Sequence, residues 1–273
     1  MEFPLLGHDA IEAIAALGRR SILDAPTVEE LRRSLTAADQ PAVVRGDPDR
    51  GVVATVTGQN RGFVRFLAVD PEHRRSGLGR ALLGAAEADL RAADASSVTV
   101  GADAPYYLWP GIDAREMATV CLVERLRYRR VDVNLNMDVD LVSLPPDPGG
   151  WRAAGTADRA ALSDWATHHW AHWHAEILRA CDQDGLVIAE DRDGIMAVCA
   201  YDVNRAGFVG PVAVRPSLVG RGAGAAPLLG ALHRMRHDGR ARAEISWVGP
   251  IFPYARVGAT LGRAFLVYRK DLS

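Results

Sequence analysis

The stretch Phe66-Leu-Ala-Val-Asp-Pro-Glu-His-Arg-Arg-Ser-Gly-Leu-Gly-Arg-Ala-Leu-Leu-Gly-Ala-Ala-Glu-Ala-Asp-Leu90 is an apolar strand, a Val-x-Pro turn, a glycine-rich bend and an apolar helix in direct succession. It recurs as Pro211-Val-Ala-Val-Arg-Pro-Ser-Leu-Val-Gly-Arg-Gly-Ala-Gly-Ala-Ala-Pro-Leu-Leu-Gly-Ala-Leu-His-Arg-Met235. Setting Val69 on Val214 superimposes Pro71 on Pro216, Gly77 on Gly222 and Gly79 on Gly224. Two such units in 273 residues indicate a duplicated domain rather than a solenoid, which needs more and shorter repeats.

Working outward, the segment Leu144-Pro-Pro-Asp-Pro-Gly-Gly150 cannot continue a helix or a central strand. The sequence therefore predicts an N-terminal domain over 1–143, a linker at 144–150 and a C-terminal domain over 151–273. Periodicity predicts helices at 9–19, 27–37, 76–93 and 113–127 in the first half, with strands at 42–45, 51–57, 62–69, 96–101 and 128–140. In the second half it predicts helices within 157–181, at 221–237 and at 251–257, and strands at 185–190, 195–202, 207–215, 242–248 and 260–269. The fold class is α/β: each half is a mixed, mostly antiparallel sheet flanked by helices.

Composition narrows the function. With 32 basic against 34 acidic residues there is no surplus of positive charge to neutralise phosphates, so nucleic acid is not an expected partner. No run of about 18 apolar residues occurs, so no membrane is expected. Cys121, Cys181 and Cys199 are far apart and form no Cys-x-x-Cys pair, which argues against disulfides and a zinc ribbon. A cytoplasmic, bacterial protein, monomeric or homodimeric, is expected, and no metal site.

A strand that ends in a glycine bend and opens into a helix makes an anion site, because first-turn N–H groups lack partners and the helix dipole favours negative charge there. Arg74-Arg-Ser-Gly-Leu-Gly79 and Gly220-Arg-Gly-Ala-Gly224 both supply this context. A dinucleotide fingerprint needs a third glycine where Leu82 and Pro227 stand, and a Walker loop needs Gly-Lys-Ser/Thr. Neither reading fits. The motif Val69-Asp-Pro71 followed by Arg74-x-x-Gly77-x-Gly79 instead resembles the core of the GCN5-related N-acetyltransferase (GNAT) family, V-x-P-x-x-R/Q-x-x-G-x-G/A. The second copy matches except at Val219, where the family carries Arg or Gln. The resemblance covers nearly the whole chain as a tandem pair.

The resemblance implies acetyl-CoA as cosubstrate. Its diphosphate would lie on Arg74, Arg75, Ser76, Gly77, Leu78, Gly79 and Arg80, or on Val219, Gly220, Arg221, Gly222, Ala223, Gly224 and Ala225. The pantetheine arm would pair with Leu67, Ala68 and Val69, or with Val212, Ala213 and Val214. Acetyl transfer to an amine requires a proton acceptor, an oxyanion donor and an acid for the leaving thiolate. In the family that acid is often a tyrosine in a Y-x-x-x-G pattern. Tyr254 fits this pattern with Gly258, whereas Val123 and Arg127 stand at the N-half positions. Catalysis is accordingly expected in the C-half, with Tyr254 as acid and Glu244 or Asp202 as base, the N-half being structural or cofactor-binding. Trp170, Trp173 and His174, in a segment rich in Trp and His, are candidates for the acceptor wall.

The C-half also loosely resembles bacterial glucosamine and glucosaminide N-acetyltransferases. The expected function is therefore acetyl transfer to a primary amine of a small molecule, such as an amino sugar, by direct attack in a ternary complex. The alternatives are a non-catalytic acyl-CoA-binding or sensing protein and a protein N-acetyltransferase.

Overall fold

The computed structural model describes residues 3–272, which form two compact units. One, the N-half, comprises the chain up to Asn134 together with Ala264 onward; the other, the C-half, is Leu135–Arg263. These limits do not coincide with a cut at 144–150. The reason lies in two long strands. The strand Thr260–Asp271 (β12) pairs through Tyr268–Asp271 with Val100–Ser97 of the first half, and Met137–Asp140 of the strand Arg129–Asp140 (β6) pairs with Ile245–Arg242 of the second. Each unit thus takes an edge of its sheet from the far side of the sequence.

In the N-half, Val43–Asp47 (β1), Gly51–Gly58 (β2) and Arg61–Val69 (β3) form an antiparallel meander. Ser97–Val100 (β4) joins β3 in parallel, and β12 closes the order β1-β2-β3-β4-β12, with the short Ile112–Asp113 (β5) beside it. The helices are Ile11–Ser21 (α1), Val28–Leu35 (α2), Leu78–Ala92 (α3) and Met117–Arg125 (α4). α2 starts in a capping box: the Thr27 hydroxyl accepts the Glu30 N–H at 3.2 Å, and the Glu30 carboxylate accepts the Thr27 N–H at 2.7 Å. α3 buries Leu78, Leu82, Leu83, Ala86 and Leu90 on one face against the sheet, as its apolar spacing requires.

The C-half repeats the scheme. Arg152–Ala153 (β7), Leu186–Asp191 (β8), Gly194–Tyr201 (β9) and Phe208–Val214 (β10) run antiparallel. Arg242–Ile245 (β11) joins β10 in parallel and β6 completes the order β7-β8-β9-β10-β11-β6. Its helices are Arg159–His169 (α5), His174–Asp182 (α6), Ala225–His237 (α7) and the single turn Phe252–Ala255 (α8). Both sheets are mixed and mostly antiparallel, as the sequence implies. The helices expected within 157–181 are α5 and α6, separated where Trp170 leaves the helical region (φ −145°, ψ 50°) and a short 3-10 turn, Ala171–Trp173, follows. Among the described residues no helix is long and apolar enough to cross a membrane.

Candidate active site

β3 and β4 pair only where Gly62–Val64 face Val98–Val100, with one further bond from the Gly101 N–H to the Val64 carbonyl at 2.9 Å. Beyond that point the strands splay, and a cavity of about 850 Å3 opens along the edge of β3. A bulge in β3 opposite Ala54/Thr55 resets the alternation of its peptide groups. The Asp70 N–H bonds Arg50 O on the β2 side, so by alternation Leu67 and Val69 turn their peptide groups to the cavity and Ala68 turns away. An extended ligand arm could pair with Leu67 and Val69 as an added strand would.

The cavity's rim is the bend before α3. Gly77 is the N-cap residue in the left-handed region (φ 89°), a conformation that favours glycine. It turns the chain so that the unpartnered first-turn N–H groups of α3 follow the bend directly. Gly79 has a different reason: a Cβ there would lie 2.9 Å from Leu122 of α4. Arg74 ties the bend down, donating from Nε to Val69 O at 3.2 Å and from Nη2 to Ser21 O at 2.7 Å. Arg74, Arg75 and Arg80 all line the cavity, giving this end a positive charge suited to a diphosphate. Ser76 spends its hydroxyl on His73 O at 2.7 Å, and Leu78 is buried in the core.

The opposite wall is α4 with the residues before it. Cys121 and Leu122 line the cavity, whereas Val123, aligned with the family's tyrosine, is fully buried in the N-half core. Asp113 and Glu116 line it too. The Asp113 carboxylate is held by Arg115, through Nε at 2.9 Å, Nη2 at 2.6 Å and the backbone N–H at 2.9 Å. Glu116 accepts the Leu23 N–H on Oε1 at 2.7 Å. Sequence reasoning missed both carboxylates, since an acidic residue ahead of a helix reads as an ordinary cap. Further in, the fully buried Arg65 is engaged by the carboxylate of Asp103 and by the carbonyls of Ser34 and Gln40, and Phe66 stacks on Trp109 at 6.4 Å. Burial pushes the Asp103 carboxyl upward while Arg65 pulls it down.

The corresponding parts of the C-half are largely engaged within it. β10 and β11 also splay after Val209, but the Trp170 indole N–H donates to Val214 O at 2.9 Å, on the edge expected to receive pantetheine. Val212 packs on the core and Ala213 is buried. Gly222 adopts the same bend as Gly77 (φ 80°), yet α7 begins only at Ala225, leaving Val219–Gly224 in turns. Val219 is exposed and apolar.

Tyr254 packs on the core that holds Cys199, Leu228 and Val257. Burial pushes its phenol up to about 12, with Cys199 adding to the shift. Glu244 is clasped by Arg263, from Nη2 at 2.6 Å and Nε at 2.9 Å, and accepts Asn136 Nδ2 at 2.6 Å. Asp202 sits in the left-handed region (φ 59°), accepts the Gly207 N–H at 2.6 Å and pairs with Arg240 at 2.6 Å. Both carboxylates therefore hold strand ends and turns together, and neither is brought to Tyr254 by a hydrogen bond. Trp170 and Trp173 stack at 4.9 Å, and His174 Nε2 meets Ser163 Oγ at 2.9 Å.

Comparison with known proteins identifies the family. A family model described as "Acetyltransferase (GNAT) family" matches residues 38–106, the part of the N-half that contains β3 and the glycine bend. A mycothiol acetyltransferase of Kineococcus radiotolerans is 31% identical over 259 residues, covering 84% of this chain and 81% of that protein. A mycothiol acetyltransferase of Clavibacter michiganensis subsp. michiganensis is 37% identical over 125 residues, 44% of this chain and 38% of that one, so this match spans well under half of the relative. Among solved structures, a tandem GNAT protein from the clavulanic acid biosynthesis pathway superimposes with a TM-score of 0.73 at 17% identity, over 100% of this chain and 98% of that one. The duplicated sheets, the splayed strand with its glycine bend and the relative aligned over most of both sequences lead to one conclusion: the chain belongs to the GNAT family of N-acetyltransferases.

Proposed function

We propose that the chain transfers an acetyl group from acetyl-CoA to the primary amine of a small molecule, by direct attack in a ternary complex, and that the N-half cavity is where this happens. The observation that carries the reading is the combination in one cavity of a strand edge with no strand beside it, an arginine-rich helix N-terminus and carboxylates. The first binds a pantetheine arm, the second a diphosphate, and the third attracts an ammonium ion. An amino sugar is the first acceptor to test: the C-half's resemblance favours it, and the aligned relatives are named mycothiol acetyltransferases.

A second reading keeps catalysis in the C-half, because Tyr254 supplies a protonated phenol and no tyrosine is among the residues lining the N-half cavity. Release of free thiol from acetyl-CoA in the presence of an amine panel tests the activity, and Tyr254→Phe tells the readings apart. If the N-half cavity is the reaction site, the variant turns over within about twofold of the parent. A loss in the range of 100-fold or more, the size expected for removing a working acid, moves the chemistry to the C-half. No thiol release with any amine, together with tight acetyl-CoA binding, would make the chain a sensor of acyl-CoA.

A further inference from the structure

Of the carboxylates that line the N-half cavity, one is prepared for a ligand. Asp113 is saturated by Arg115, and Asp24 is already partnered within the chain. Glu116 stands as the N-cap residue of α4, with Oε1 fixed by the Leu23 N–H at 2.7 Å. Among the described residues Oε2 has no hydrogen-bond partner. A carboxylate held by one oxygen keeps its position while the other oxygen accepts a new bond. Along the same helix lies Leu122, which closes on Gly79 of the phosphate bend. Six residues of α-helix separate Glu116 from Leu122, about 9 Å along the axis. The two ends of one helix therefore mark two stations of one cavity, the diphosphate end and the amine end. Leu23 and Met117, both exposed, give the amine end an apolar rim.

We infer that Glu116 receives the acceptor's ammonium group and takes its first proton. This rests on the N-half reading above. Once the ammonium has passed a proton to Oε2, the neutral amine attacks the thioester carbonyl carbon. A C–N bond forms and the carbonyl π pair moves onto oxygen. When the tetrahedral species collapses, the C–S bond breaks, and a proton from the former ammonium goes to the departing thiolate. Glu116 then returns its proton to water. The acceptor class that fits is a compact cationic amine with an apolar flank, since a carboxylate and an apolar rim face it together.

The test uses Glu116→Gln, which keeps an oxygen to accept the Leu23 N–H but carries no charge, so the structural bond survives and the chemistry does not. Thiol release is measured with acetyl-CoA and a panel of glucosamine, tyramine and spermidine. The acetyl-CoA dissociation constant is measured by calorimetry on the same samples. The expected result is a fall of about 100-fold or more in kcat/KM and an unchanged dissociation constant. Glu116→Asp, which keeps the charge, should retain more rate than Glu116→Gln. Parental kcat/KM in Glu116→Gln, or the reverse order of the two variants, overturns the assignment and leaves the cofactor site standing. No thiol release by the parent with any of the amines overturns the N-half reading and this assignment with it.

Discussion

Arg74→Ala weakens acetyl-CoA binding on the order of 10- to 100-fold, and removing Arg221, the arginine of the C-half bend, leaves it within twofold, the position aligned with Arg74 there being Val219. The first expectation follows from charge. A hydrogen bond to an ionised group contributes about 1.5–3 kcal/mol, which is one to two powers of ten in a dissociation constant. Arg74 also pins the bend to both neighbours, at Val69 O and Ser21 O, so its loss frees the loop whose N–H groups must converge on the diphosphate. That second effect acts in the same direction, because a loop that must be ordered on binding costs affinity.

The contrast with Arg221 follows from the C-half. There the bulky, part-buried Trp170 indole occupies the edge carbonyl of Val214, where the N-half has only the exposed Arg74 side chain on Val69 O, and the helix starts at Ala225 rather than directly after the bend. Calorimetric titration of both variants with acetyl-CoA gives the answer. Equal losses would mean that both halves bind the cosubstrate, and a loss confined to Arg221→Ala would reverse the roles of the halves.

The two halves differ in features that local sequence patterns do not encode. The duplication, the two glycine bends and the elements around them were legible because each depends on local patterns: alternation in β3 and β10, helical spacing in α3 and α7, and positive φ at Gly77 and Gly222. The unit limits were not, because alternation in 128–140 announces a strand without naming its neighbour, and that neighbour is β11. Nor was the break at Trp170: no proline or glycine marks it, and the indole leaves the helix line to reach Val214 O, a bond from 44 residues away. An open cavity is a matter of which side chains fill a splayed pair of strands. In the family's motif Tyr254 looks better placed than Val123, yet its ring packs on a core while the N-half leaves room beside Cys121 and Glu116. A motif gives residue types and spacing; it does not say which copy is closed by its own packing.

Glu176→Gln should make the chain more stable above neutral pH and flatten its pH dependence between about 4.5 and 7. Glu176 lies on α6, 3% exposed, and accepts Asn204 Nδ2 at 3.3 Å, while Arg179 Nη2 bonds Asn204 Oδ1 at 2.8 Å. Burial pushes its carboxyl up to about 7, against the pull of Arg179 and Asn204. The sign follows from the two states. Below the unfolded value near 4.5 both carry the proton and nothing is lost. As pH rises further, the unfolded chain ionises while the folded one must still hold its proton, so unfolding becomes easier until the folded group also titrates, near 7. The interval corresponds to roughly 3 kcal/mol of stability lost between pH 4.5 and pH 7. Glutamine cannot ionise and keeps an oxygen for Asn204, but its amide brings buried donors that cost about 1–2 kcal/mol if left unpaired. The net gain at pH 8 is therefore about 1–2 kcal/mol. Urea unfolding at pH 5 and pH 8, followed by tryptophan fluorescence, to which Trp165 of α5 and Trp170 and Trp173 at the junction of α5 and α6 contribute, measures it. Parallel losses in parent and variant between the two pH values would mean that Glu176 is ionised in the folded chain. Since the reaction is assigned to the N-half cavity, the variant should acetylate at the parental rate at pH 8, and a marked loss of turnover would count against that assignment.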